Sequence, residues 1–132
     1  IQMESIQNDV NKEIIVYTEE DHISKVSDNI KRVYEELKNR ILELDDIDVE
    51  AKKLYIAFKG IRNIADIEFH KNKLKIYINM KKDSLNDPLK LTKDISGIGH
   101  WGNGDYCIII DKKDDIDNVI PLIKQSLKVN KK

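Results

Sequence analysis

The side chains best placed to do chemistry lie between Ser96 and Tyr106, in the stretch SGIGHWGNGDY. It holds four of the five glycines, the single tryptophan and one of three histidines. His100 with Asp105 has the composition of an acid–base pair, in which a carboxylate orients an imidazole. Exposed main-chain amides around Gly97 and Gly99 could close on a phosphate. Each feature also has a plainer reading. Histidine and aspartate at a turn make local hydrogen bonds, and glycines allow a path that other residues resist. A dinucleotide fingerprint follows a strand and opens a helix, whereas here a strand follows the glycines. A ligand-binding turn and a purely structural one both remain open for Gly97, Gly99, His100, Trp101, Gly102, Asn103 and Gly104, with the structural one favoured. Trp101 is expected to pack on a core or its rim.

Other reactive side chains point nowhere in particular. His22, His70 and His100 stand at no metal-ligand spacing, so no metal site is expected. Cys107, the only cysteine, lies in an apolar run and is expected to be a buried small hydrophobe. It excludes an internal disulfide and fits a cytoplasmic setting. No catalytic residue and no cofactor are assigned.

Positive charge is the stronger signal. Residues 1–50 carry 6 Lys/Arg and 14 Asp/Glu, whereas residues 51–93 carry 11 and 4, so charge is segregated although the total is −1. Lys53, Lys59, Arg62, His70, Lys71, Lys73, Lys75 and Lys81, with Lys52 and Lys82 beside them, surround Tyr77. Cations of this kind contact phosphates, and an outward tyrosine contacts sugar or base. The plainer readings are a solvated sheet face, an edge guarded by lysines, or two segments that neutralise each other.

Elements follow from periodicity. Thr18 ahead of Glu19, Glu20 and Asp21 reads as a helix start. Ile23, Val26, Ile30, Val33, Tyr34, Leu37, Ile41 and Leu44 then mark one apolar stripe, predicting a long helix over about 19–44. The period next falls to two. Leu54, Ile56 and Phe58, then Ala65, Ile67 and Phe69, then Leu74, Ile76 and Ile78 mark three strands with tight turns between them. Asp87 and Pro88 suggest a short helix to Ile95. Tyr106 to Asp111 reads as a strand buried on both faces. Ile116, Val119, Ile120, Ile123 and Leu127 mark a last helix, which Pro121 would kink or start late. At 132 residues, 40% apolar and 36% charged, one domain with a charged surface is expected. The expected fold is a two-layer α+β domain with a mainly antiparallel sheet of four to five strands and long terminal helices. Residues 1–17 are read as a connector, 18–128 as the domain and 129–132 as a tail. No apolar run approaches the roughly 18–20 residues of a membrane span.

The strings YTEEDHISK at 17–25, KLYIAFKG at 53–60, NIADIEFHKNKLKIYIN at 63–79 and DISGIGHWGNGDY at 94–106 resemble a prokaryotic domain family labelled "predicted transport protein". Its members look like C-terminal attachments to nuclease or restriction-like proteins. That resemblance implies an upstream nuclease-like domain and no membrane, and it supplies no catalytic residues. A second likeness, carried by AFK and FHKNKLKIYI, is to small YdhG-like and MmcQ/YjbR-like double-wing domains, in which a sheet meets DNA. The expected function is a non-catalytic nucleic-acid-binding or targeting module of a larger restriction or nuclease-type protein. The alternative is a protein-interaction or dimerisation module without nucleic-acid contact. Oligomeric state is left open.

Overall fold

The structure, a computed structural model, describes residues 15–100 and 102–131. Most of the expected connector therefore lies outside the described residues, as does Trp101. In chain order the elements are α1 (Glu19–Ile23), α2 (Asp28–Leu42), β1 (Asp48–Ala51), β2 (Ile56–Lys59), β3 (Asn63–His70), β4 (Lys73–Ile78), β5 (Lys93–Asp94), β6 (Tyr106–Ile110), a 3-10 turn (Lys113–Asp115) and α3 (Ile116–Asn130). Among the described residues the strands form one open antiparallel sheet, in the order β1-β2-β3-β4-β6-β5. The fold is α+β, as the periods imply.

Alternation sorts the sheet into two faces. Ile56, Ile67, Ile76 and Ile108 stand opposite one another across four strands, and Phe58, Ala65, Ile78 and Tyr106 form the next row. These rows join the stripe of α2 (Ile30, Val33, Tyr34, Leu37, Ile41) and that of α3 (Ile116, Val119, Ile120, Ile123) in one core. Burying a side chain of this size contributes roughly 1.5–3 kcal/mol, so the two helices must lie on this face. Polar bonds then set the position of α3. The buried Ser126 hydroxyl donates to the Ile64 carbonyl at 2.6 Å, and Asn130 Nδ2 donates to the Asn79 carbonyl at 2.9 Å. Serine and asparagine one turn apart thus tie α3 to the ends of β3 and β4.

The structure departs from the sequence expectations in five places. The first helix is two helices. Thr18 and Asp21 form a reciprocal cap on α1, but Ser27 begins a new one, its hydroxyl accepting from the Ile30 amide at 3.3 Å. The Ser27 amide is drawn away to the Lys71 carbonyl at 2.8 Å, so the chain cannot stay helical there. Leu54 does not join a strand: it is exposed in the turn before β2, and β1 adds an unexpected edge strand. No helix forms after Pro88. Asp87 does cap a turn, its carboxylate accepting from Leu91 and Thr92, but Lys90 at φ 54° sends the chain out to the two-residue β5. In β6, Ile109 is 53% exposed, so only its neighbours are buried. Finally, Pro121 lies inside an unbroken α3, which runs to Asn130 behind a 3-10 lead-in. It forfeits the bond it would have donated to residue 117.

The Ser126 bond provides a test of helix docking. Ser126→Ala is expected to lower the unfolding free energy by about 0.5–1.5 kcal/mol, the net worth of a buried hydroxyl bond, since the Ile64 carbonyl keeps the Asn79 amide and the Asn79 carbonyl keeps Asn130. Lys124→Ala, on the exposed side of the same helix, is expected to stay within about 0.5 kcal/mol. Urea midpoints at constant m-value make the comparison.

Candidate nucleic-acid interface

The face turned away from the helices carries every site residue that stands on a strand. Its central row runs Glu50, Ala57, Asp66, Tyr77, Cys107 and Lys93, each opposite the next on neighbouring strands. The glycine stretch folds back across this row. Asp66, with 0% exposure, is the anchor. Its Oδ2 accepts from the Asn103 amide at 2.7 Å and from Asn103 Nδ2 at 2.8 Å, and its Oδ1 accepts from Asn63 Nδ2 at 2.7 Å. All three donors are neutral. Burial therefore holds the Asp66 carboxyl above the usual carboxylate range, and the hydrogen bonds only partly oppose the shift.

The loop's glycines divide by what surrounds them. A methyl group on Gly102 would stand 2.2 Å from the Tyr77 ring. One on Gly104, where φ is +95°, would stand 2.1 Å from the Ile78 carbonyl oxygen. Both positions require glycine. Gly97 and Gly99 have open space around them. The amides of Ile95, Ile98, Asn103 and Asp105 are already spent within the fold, and the loop leads into β6 and opens no helix. At Gly102 and Gly104, then, the requirement is close packing against the sheet.

Tyr77 points outward as alternation requires, yet it is only 1% exposed because Gly102, Ile95 and His100 lie over it. It is not free to meet a base. The His100 ring stacks on it at 5.6 Å, and Lys75 Nζ approaches it to 5.3 Å. The Tyr77 hydroxyl donates to Glu68 Oε1 at 3.2 Å, and His70 Nε2 meets Glu68 Oε2 at 2.7 Å. Burial, reinforced by Glu68, holds the Tyr77 phenol protonated far above neutral pH. His100 Nδ1 lies 2.8 Å from the Gly102 carbonyl. A carbonyl only accepts, so Nδ1 carries a hydrogen and donates to it. Asp105 is no partner to His100. Its carboxylate accepts from the Lys82 amide at 2.9 Å. Cys107 is buried, and that burial raises its thiol above the ordinary value although Lys75 and Lys93 pull the other way.

The expected basic residues do not all come together. Lys59 is bound to Glu50 at 3.3 Å, and Lys52 also bonds Glu50, whose carboxyl these cations hold below its usual range. Lys53, His70, Lys71 and Lys73 gather around the turns at one end of the sheet, while Arg62 and Lys81 stand at the other. Lys75 lies between these ends. Lys93 was not anticipated. It becomes a face residue only because β5 pairs with β6, opposite Cys107. Lys73, Lys75 and Lys93 make no ion pair among the described residues. Asp66 was also missed. The alternating pattern marks it as outward, and only the returning loop buries it.

Substitution at Asp66 tests the clasp. Asp66→Ala strands three buried donors and is expected to cost roughly 2–4 kcal/mol. Asp66→Asn, with Asn63 rotated to offer its oxygen, is expected to stay within about 1 kcal/mol of the parent at low pH. A carboxyl whose folded pKa is raised binds its proton more tightly when folded. Its contribution is therefore lost as pH rises past the unfolded value of about 3.9. Asp66→Asn should thus gain stability relative to the parent from about pH 4 upward. A pH-independent difference in urea unfolding would contradict this account.

Among the described residues no helix is long and apolar enough to cross a membrane. No solved structure matches the chain. An uncharacterised protein of Haemophilus influenzae is 49% identical over 118 residues, which are 89% of this chain but 39% of that protein, so the chain spans well under half the length of this relative. Residues 19–130, from the first turn of α1 to the end of α3, match a single family along their whole length, and the chain belongs to that family, described as Domain of unknown function (DUF5655).

Proposed function

We propose that the domain is a non-catalytic accessory module of a larger nuclease- or restriction-type protein, and that it holds nucleic acid by its phosphates on the β4–β6–β5 part of the outer sheet face. The observation that carries this reading is the placement of Lys73 and Lys75 on β4 and Lys93 on β5, the two strands that flank β6, on one face and without ion-pair partners among the described residues. Lys73 and Lys75 are two residues apart on β4, roughly 7 Å along the strand. The His100 ring lies beside Lys75 over the same tyrosine and helps to cover it. On the other half of the face Lys52 and Lys59 are both engaged by Glu50, so it contributes less. Contacts of this kind position a polyanion without reading its bases. The length of the Haemophilus relative beyond the matched region is consistent with an accessory role there.

One observation favours the second reading, a docking surface for protein. Ile109 stands exposed opposite Lys75 on the same face. The two readings differ in salt dependence. Three phosphate contacts to duplex DNA give a slope of log K against log salt of roughly −2.5 to −3. Fluorescence anisotropy with a labelled 20-mer at low salt is expected to show such a slope. The triple change Lys73→Gln, Lys75→Gln, Lys93→Gln should bring it close to zero. No binding to single or double strands at low salt, or an unaltered slope in the variant, rejects the proposal. A dimer in light scattering that Ile109→Asp abolishes would establish the second reading.

A further inference from the structure

At the end of the sheet opposite Lys73, the last turns of α3 leave a cleft against the exits of β2 and β4. It encloses about 290 Å³ between Arg62, Met80, Lys81 and Val129. Past Met80 and Val129 it opens into a wider groove of about 610 Å³ that ends at Gln125 and Lys128. The floor is apolar. Met80 is buried beneath it, and Val129, 54% exposed on α3, faces it. The neutral polar groups on the walls are already occupied. Asn130 Nδ2 donates to the Asn79 and Ser126 carbonyls, Gln125 exchanges two bonds with the Asn86 main chain, and the Ser84 hydroxyl donates to the Lys81 carbonyl. What remains is three cations, Arg62, Lys81 and Lys128, none paired among the described residues. Among the described residues no carboxylate lines either part.

We infer that this cleft is a binding site for a small amphiphilic anion, with an apolar body on Met80 and Val129 and a single phosphate or carboxylate head between Arg62 and Lys81. Its volume is near the lower end for ligand sites, which begin at about 300 Å³. The chemistry of the walls dictates the ligand class. An apolar floor rewards removal of a hydrocarbon from water, and two free cations on one rim select a negative head. The guanidinium of Arg62 can meet either head with two parallel hydrogen bonds. The site is separate from the proposed phosphate contacts, since Lys73 and Met80 are seven residues apart on the β4 path, roughly 24 Å.

The test is a methyl and amide NMR titration of the whole chain with octyl phosphate, octanoate and inorganic phosphate in turn. At least one amphiphile is expected to saturate and to shift Met80, Val129 and Lys81. Whichever binds identifies the head, and equal binding of both means that charge alone is read. Inorganic phosphate should bind at least about tenfold more weakly than the better amphiphile. Arg62→Gln with Lys81→Gln should weaken that amphiphile about tenfold, and Val129→Asn should weaken it while leaving inorganic phosphate unchanged. All three positions are exposed, so unaltered urea midpoints are expected to confirm folding. DNA anisotropy should not respond to the Arg62/Lys81 pair, which separates this site from the sheet face. The inference is overturned by absence of saturable shifts with both amphiphiles, by inorganic phosphate binding as well as they do, or by full affinity in the double variant.

Discussion

A buried carboxylate met only by neutral donors holds the outer side of this fold together. Asp66 lies on the sheet's outer face, where a charged side chain would ordinarily reach water, and it is sealed beneath the loop that it anchors. Taking a carboxylate out of water is costly unless its lone pairs are satisfied. Two bonds from Asn103 and one from Asn63 satisfy them here. The bonds span 37 residues of sequence on one side and three on the other, so they fix loop to sheet and not merely turn to strand. With Asn103 seated, Gly102 must press on the Tyr77 ring and Gly104 must pass beside the Ile78 carbonyl. The glycines follow from that clasp.

Closing the loop divides the outer face into two unlike halves. Under the loop, Tyr77, Ile95 and Cys107 form a small second core separate from the one beneath the helices. The β1–β2 half is partly neutralised, because one carboxylate, Glu50, is shared by Lys52 and Lys59. The β4–β6–β5 half carries Lys73, Lys75 and Lys93, which make no ion pair among the described residues, although Glu68 lies across from Lys75. Charge segregation along the chain is thus only partly preserved in space. One acidic residue of the first fifty cancels part of the basic middle segment, and the ends of the strands separate the rest. The Arg62 and Lys81 pair, adjacent in composition to the other cations, stands beside α3 and an apolar cleft instead.

Much of this was legible in the residues. Alternation in KLKIYI put Leu74, Ile76 and Ile78 on the core side, and they are fully buried. The stripe from Ile30 to Ile41 lies along α2 as its spacing requires. The break at Ser27 was visible only in part. Serine followed by Asp28 and Asn29 is a cap pattern, but the apolar stripe continues through it, and the bond from the Ser27 amide to Lys71 decides the matter. The strand β1 was hidden because DVEA has one apolar branched residue and no partner in view. A two-residue strand such as β5 has no periodicity to read, so Lys93 could not be assigned a face.

The chain's own alternation and spacing settled which residues enter the helix-side core, because burial of apolar area acts on one residue type at a time and has a fixed period in each element. They also placed Tyr77 and Asp66 on the opposite face. Whether that face is open or covered was decided only by tertiary structure. The answer depends on a loop nearly forty residues away returning to a carboxylate, and no local period encodes a contact of that range.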